Sequence, residues 1–275
     1  MHISTRYPLK RAFITGAGSG LGRSLALQLA HEGWTVGIQD IKAEGAEETL
    51  QQVRAAGGQG EVYLFDVSQR ETFAKHAQQF IDKHDGVDLV VNNAGVAVGG
   101  FFDQIPAKDW EWIAGINLFG PVYGCQAFLP QLRRQGKGYL INVASVAGLV
   151  AGPGMSPYHA TKYATVGFSE ALRGELVGSG VGLSVVCPYF FQTNILNDAR
   201  INQFQAAGLA GKAMRHSSAQ ADQVARRILD GAARGQFYIV PHLEAKLMWW
   251  FKRFSPSLFF WLLDRGTLTQ LRHQD

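Results

Sequence analysis

Tyr158 and Lys162 stand four residues apart in the stretch YHATK, and Ser145 precedes the tyrosine by thirteen residues in NVASVAG. Residues four apart on a helix share one face, so the phenol and the ammonium would reach the same point above it. A free tyrosine, with a pKa of about 10, is a poor base at neutral pH, but a neighbouring positive charge favours its phenolate. Such a pair could pass a proton to or from a substrate oxygen. A serine hydroxyl beside it could hydrogen-bond the same oxygen and stabilise charge growing there. Taken singly, each residue has an ordinary explanation: a tyrosine on an amphipathic helix, a solvated lysine, a loop hydroxyl. Their joint occurrence in this order carries the reading.

A second constellation lies near the start of the chain. The stretch TGAGSGLG at 15–22 follows the apolar run Ala12-Phe13-Ile14 and leads into Leu21-Gly22-Arg23-Ser24-Leu25-Ala26, which has the composition of a helix. Strand, glycine loop and helix are therefore expected in that order. Glycine permits positive φ and lets another group approach the backbone closely. Amide N–H groups and the helix dipole make such a turn an anion site, so Gly16, Ser19, Gly20, Leu21 and Gly22 could cradle a pyrophosphate. The spacing G-x-x-x-G-x-G differs from the G-x-G-x-x-G dinucleotide fingerprint. Asp40 ends the next apolar run, where a carboxylate can bond ribose hydroxyls and repel a 2′-phosphate. That favours NAD over NADP. Lys42, two residues on, could soften the repulsion, so use of NADP stays open.

The elements that would position these residues follow from apolar runs without alternation, the pattern of strands covered on both faces. They fall at Arg11–Thr15, Thr35–Gln39, Glu61–Phe65, Val87–Val91, Gly138–Val143, Gly182–Val186 and Phe237–Val240, with helical stretches such as Ala43–Ala56 and Gln69–Lys83 between them. The expectation is an α/β fold: one doubly wound, Rossmann-type parallel sheet of about seven strands with helices on both faces. In such folds ligands bind at the carboxyl ends of the strands, where every motif above falls. With 275 residues, 47% of them hydrophobic, the chain can bury a full core. Residues 1–241 read as one domain, and 242–275 as an extension that is not a domain of its own.

A net charge of +4 is spread without a basic block, which argues against a nucleic-acid partner. Cys125 and Cys187 are far apart and lack metal-ligand spacing, so no metal site is expected. Reduced thiols and an N-terminus without an apolar signal core fit a cytoplasmic protein.

Four further stretches join the glycine loop: NNAG at 92–95, Asn117 within GINLFG, Ser145 in NVASVAG, and YHATK at 158–162. Together they resemble the short-chain dehydrogenase/reductase family over roughly residues 10 to 240. The resemblance implies hydride transfer between a nicotinamide cofactor and an alcohol or carbonyl, with Asn117, Ser145, Tyr158 and Lys162 as the catalytic group. It implies that Tyr158 exchanges the hydroxyl proton, that Lys162 also binds the nicotinamide ribose, and that Asn117 supports a water linking Lys162 to solvent. It further implies cofactor contacts at Asp66 and Val67 beside the adenine, at Asn92, Ala94 and Gly95, and at Pro188 and Thr193. The family often shows P-G-x-x-x-T in this last place; here Tyr189 stands where that glycine would be, adding a ring near the substrate entrance. A homodimer or homotetramer is the implied assembly. Two other readings remain: an NADPH-dependent carbonyl reductase, and a non-catalytic, cofactor-sensing binding protein that keeps the fold.

The stretches that would border the pocket are 96–98, 147–152 and 189–191, followed by a variable segment at 194–216. The first three carry no ionised side chain, which points to a lipophilic alcohol or ketone such as a steroid, a retinoid or a fatty chain. Beyond the last strand lies KLMWWFKRFSPSLFFWLLDR at 246–265. Lys252 and Arg253 interrupt its apolar run, and Ser255-Pro256 reads as a cap and a first helical position, predicting two short helices. Three roles stay open for it: a lid or oligomer contact, peripheral contact with the inner face of a membrane, and core packing.

Overall fold

Neighbouring residues of one strand are buried on opposite faces of the sheet, which is why its strands are apolar without alternation. In β1 (Arg11–Thr15), Phe13 belongs to a cluster with Phe73, Phe80, Phe128 and Leu132, while Ile14 belongs to another with Leu25, Leu29, Trp34 and Ile228. The structure, a computed structural model, describes residues 2–191, 199–201 and 220–272, with side chains as far as residue 267.

The chain runs through α1 (Ile3–Arg6), β1, α2 (Gly20–His31), β2 (Thr35–Asp40), α3 (Ala43–Ala55), β3 (Gln59–Leu64), α4 (Arg70–His84), β4 (Leu89–Asn92) and β5 (Val98–Gly99). It continues with α5 (Ala107–Ala114), a π-helical turn (Gly115–Phe119), α6 (Gly120–Gln135), β6 (Gly138–Val143), α7 (Ser156–Glu175), β7 (Val181–Val186), β8 (Arg200–Ile201), α8 (Ala221–Ala233) and β9 (Tyr238–Ile239). Two helices close it, α9 (Leu243–Phe254) and α10 (Pro256–Arg272). Seven strands form one sheet in the order β3-β2-β1-β4-β6-β7-β9, every pairing parallel. Buried side chains of α2, α3 and α8 cover one face, and those of α4 and α6 the other. The expected doubly wound sheet is therefore present.

The strand order reverses at β1, which has β2 on one side and β4 on the other. Ligand crevices of such sheets open at that reversal. Here it is flanked by the glycine loop after β1 and by residues 92–95 after β4.

The boundaries differ from expectation where pairing overrides composition. β3 starts at Gln59, two residues early, because this edge strand pairs Gln59 with Thr35 and leaves one side to water. β4 starts at Leu89, and β9 pairs only Tyr238 and Ile239. A second, two-stranded sheet joins β5 to β8. The tail forms two helices as the Ser255-Pro256 pair predicts, and the Ser255 carbonyl accepts the Phe259 N–H at 3.0 Å. Among the described residues no helix is long and apolar enough to cross a membrane.

Candidate active site

The glycine loop is held from three sides. Gly16 adopts φ +63° and Gly20 φ +51°, values that side-chain-bearing residues rarely take. A Cβ on Gly22 would lie 2.2 Å from the Gly16 carbonyl oxygen, so the loop closes tightly over the start of α2. Asn93 donates from Nδ2 to the Thr15 and Gly16 carbonyls at 2.9 and 3.2 Å, and the Thr15 hydroxyl accepts from the backbone N–H groups of Asn93 and Ala94. Asp40 closes the third side: Oδ2 accepts from Gly18 N–H at 2.8 Å and Oδ1 from Lys42 N–H at 3.0 Å.

Ser19 occupies the N-cap of α2, yet its side chain makes no capping hydrogen bond. Among the described residues the N–H groups of Gly20, Leu21 and Gly22 therefore have neither a helical nor a side-chain acceptor. Uncapped amides at the positive end of a twelve-residue helix suit a pyrophosphate. These residues fit a dinucleotide.

A basic side chain, Arg23, stands beside the loop. Arg23 donates to the Gly18 carbonyl at 2.6 Å and to Glu48 Oε2 at 2.7 Å, while its Nε binds the Thr49 hydroxyl at 2.9 Å. Its guanidinium is thus engaged with Glu48 and the loop itself.

Tyr158 and Lys162 lie in α7 as the four-residue spacing requires, with the Lys162 ammonium 5.8 Å from the centroid of the Tyr158 ring. Lys162 is buried and donates to the Val143 carbonyl at 3.0 Å, at the carboxyl end of β6. Burial pulls its pKa down to about 8. Burial pushes the Tyr158 phenol above its ordinary value, and a hydrogen bond with Ser145 pulls it partly back. Cys187 is itself raised to about 12 by burial, so its thiol stays neutral. Ser145 caps a short 3-10 turn (Val146–Gly148), its hydroxyl accepting from Ala147 N–H at 3.1 Å.

Asn117 sits in the π-helical turn, where Gly120 N–H reaches back to the Gly115 carbonyl. Such turns occur often at functional sites because they widen the helix and re-aim its groups. The Asn117 amide is committed to the main chain of Val96, accepting its N–H and donating to its carbonyl, both at 2.9 Å. The Asn117 carbonyl accepts the Thr165 hydroxyl at 3.1 Å. Gly95 lies alongside: a Cβ there would be 3.4 Å from Asn117 Oδ1 and 3.6 Å from Lys162 Nζ.

Of the other expected contacts, Asp66 accepts the Ser68 N–H at 2.9 Å and Val67 is buried against Gly120. Pro188 accepts the Val146 N–H at 2.8 Å, tying the end of β7 to the turn after Ser145. The side chain of Asn92 is turned into the core, donating to Asn142 Oδ1 at 2.8 Å, and it is the next asparagine, Asn93, that grips the glycine loop. Thr193 and all of the segment 194–216 except residues 199–201 lie outside the described residues.

Three positioning residues carry no sequence signal of their own. His159 follows Tyr158 and spans the loop after Ser145, its Nδ1 on the Ala147 carbonyl at 2.9 Å and its Nε2 accepting Gly152 N–H at 3.2 Å. Burial keeps its pKa low, which suits this neutral tautomer. Lys252 of α9 donates to the Leu149 carbonyl at 2.8 Å and also bonds the Tyr163 hydroxyl. His242 accepts the Tyr189 N–H at 3.1 Å, fixing the residue that replaces the family's glycine.

A parallel doubly wound sheet with a glycine loop at its reversal and a serine, tyrosine and lysine gathered at the next strand ends defines a nucleotide-dependent oxidoreductase. The chain belongs to the short chain dehydrogenase family, whose model matches residues 10–203. It is an oxidoreductase acting on CH–OH groups, in a family that uses NAD(P). It is 36% identical over 244 residues to the Mycobacterium tuberculosis protein named as oxidoreductase SadH, covering 86% of this chain and 87% of that one. It is 34% identical over 202 residues to the ketoacyl reductase HetN of a Nostoc species, covering 73% and 70%. The crystal structure of a short chain dehydrogenase/reductase from Burkholderia phymatum in complex with NAD superposes with a TM-score of 0.86 at 32% identity, covering 90% of this chain and 94% of the other.

Proposed function

We propose that the protein oxidises a lipophilic secondary alcohol to a ketone, or runs the reverse reaction, with NAD(H) as its preferred cofactor and Tyr158 as the acid/base. The observation that carries this reading is the meeting of Ser145, Tyr158 and Lys162 at the carboxyl ends of β6 and β7, beside a glycine loop whose free amides suit a dinucleotide.

Gly16, Ser19, Gly20, Leu21 and Gly22 would hold the pyrophosphate, Asp40 the adenosine ribose, and Asp66, Val67, Ala94 and Gly95 the faces of the cofactor. NAD, when bound, supplies the hydride acceptor. Ser145 would bond the substrate oxygen and support its developing charge. Tyr158 takes the hydroxyl proton during oxidation and returns one during reduction. Burial alone keeps its phenol protonated, the state that serves reduction. Oxidation needs nearby positive charge, and the Lys162 ammonium is the protein's source of it. Asn117 holds the main chain of Val96 by two hydrogen bonds, next to Gly95.

The preference for NAD rests on Asp40 and on Arg23. The carboxylate is fixed at the Gly18 N–H, where it would repel a 2′-phosphate, and the neighbouring guanidinium is already engaged by Glu48. A lipophilic substrate is supported by the absence of ionised side chains from 96–98, 147–152 and 189–191, and by the name of the Nostoc relative, a ketoacyl reductase. The test is NADH formation by the purified chain against steroids, retinol and long-chain secondary alcohols, with small polar alcohols as controls. Turnover of a lipophilic member, lost in Tyr158→Phe with NAD binding kept, is the expected result. Turnover of small polar alcohols alone would sink the pocket assignment, and an unchanged rate in Tyr158→Phe would sink the mechanism.

A further inference from the structure

The tail presents an apolar face that the domain does not use. In α9, Leu243, Leu247, Trp250, Phe251 and Phe254 are all exposed, Leu243 by 67% and Phe254 by 73%. On the helical wheel these five fall within a stripe about 100° wide. The opposite side of the same helix is occupied: Ala245 is fully buried, Met248 and Trp249 pack on the cluster containing Val185 and Cys187, and Lys252 reaches Leu149 and Tyr163. Among the described residues the stripe therefore faces away from the domain.

α10 folds back on α9 through Phe259, whose ring meets Phe251 edge to face at 5.8 Å. This contact leaves Leu258, Trp261 and Leu262 exposed on the second helix. The Trp250 and Phe254 rings stack at 5.3 Å, and the Arg265 guanidinium lies 4.0 Å from the Trp261 centroid. Lys246 and Arg253 fall together on one flank of the α9 stripe. From 243 to 265 the tail carries four basic and two acidic side chains, the acids being Glu244 and Asp264.

We propose that α9 and α10 form a helical hairpin that lies flat in the interface of an anionic lipid membrane. Exposed tryptophans and phenylalanines suit the boundary between headgroups and chains, and a flank of Lys246 and Arg253 suits anionic headgroups. Neither helix is long and apolar enough to span the bilayer, so the hairpin rests on the surface. A second copy meeting this face antiparallel would bring the Lys246 and Arg253 flanks of both copies together, whereas anionic headgroups neutralise them in any orientation. The proposal holds whichever alcohol the enzyme uses.

The test is co-sedimentation of the full chain with phosphatidylcholine vesicles, with and without phosphatidylglycerol, read also by tryptophan fluorescence. The wild type is expected to sediment with the anionic vesicles, to shift its emission to the blue, and to be released by salt. The double variant Lys246→Gln/Arg253→Gln should bind about 25-fold more weakly, at roughly fivefold per lost charge. The double variant Trp250→Ser/Phe254→Ser should stay in the supernatant while keeping its NAD affinity and melting temperature. The proposal is overturned if the wild type ignores anionic vesicles at low salt, or if the apolar variant sediments as well as the wild type. It is equally overturned if the wild type is a dimer in ultracentrifugation that the apolar variant splits, with no vesicle binding by either.

Discussion

Replacing Asp40 by asparagine isolates the charge that should exclude NADP. The asparagine keeps a side-chain oxygen for the Gly18 N–H, now bonded to Asp40 Oδ2 at 2.8 Å, so the loop should hold its shape. What disappears is one negative charge at the ribose end of the crevice. Two unit charges 4 Å apart interact by about 1 kcal/mol in water and about 4 kcal/mol at the effective dielectric of a protein surface. Asp40 is half-buried, and a 2′-phosphate carries more than one charge at neutral pH, so the relieved repulsion is about 2 to 3 kcal/mol. The ratio of kcat/KM for NADP over NAD should therefore rise roughly 30- to 150-fold, at about 1.4 kcal/mol per factor of ten. Loss of the charged ribose contact should weaken NAD by about tenfold at most. Steady-state kinetics with both cofactors and one alcohol read the ratio directly, with thermal melting to show that the fold is intact. A ratio that stays within twofold of wild type would refute the placement of Asp40 beside the 2′ position. Arg23 supplies a control: Glu48→Gln frees the guanidinium, and combined with Asp40→Asn it should push the ratio further towards NADP.

Further expectations concern the site's supports. Lys162 has a folded pKa of about 8, below its unfolded value, so between about pH 8 and 10 the unfolded chain binds more protons there. The wild type should gain stability relative to Lys162→Met as pH rises through that window, read as the difference between their urea midpoints; parallel profiles would contradict the burial of the ammonium. His159→Ala removes the two hydrogen bonds by which this side chain ties Ala147 to Gly152 and should raise KM for the alcohol about tenfold with NAD affinity unchanged. Gly22→Ala drives a Cβ against the Gly16 carbonyl and should cost the apoprotein about 1 to 3 kcal/mol as well as weakening NAD; calorimetry showing neither would mean that the loop is looser than described.

The central sheet could be read from the sequence because both its faces are covered, so strands appear as unbroken apolar runs whatever their order. Tyr158 and Lys162 were legible for a similar reason: helix geometry alone places residues four apart together. Other parts depend on partners distant in the chain. Nothing in NNAG distinguishes the asparagine that turns into the core, Asn92, from the one that grips the glycine loop, Asn93; the alternation of side chains along β4 decides it. The bond from Lys252 to the Leu149 carbonyl joins residues about a hundred positions apart, with no periodicity to announce it. The two-residue strands β5 and β8 are too short to leave a pattern. The π-helical turn is equally silent, since GINLFG has the composition of an ordinary helix.

That turn makes α5 and α6 one rod with a change of phase in the middle. A π-helical turn accommodates one residue more than an α-helix would over the same span, so the apolar face of α5 and that of α6 are rotated relative to each other by about one residue's angle, roughly 100°. Ile113 can therefore face the small cluster around Val98 while Phe128 and Leu132 face the sheet, although no loop separates them. The arrangement behaves as an inserted letter does in a reading frame. Deleting Leu118 would restore a regular helix and the rod would survive, but everything on one side of the deletion would point elsewhere, and Asn117 could no longer meet both atoms of Val96. A length change of one residue here is thus more damaging than most substitutions in the same helix.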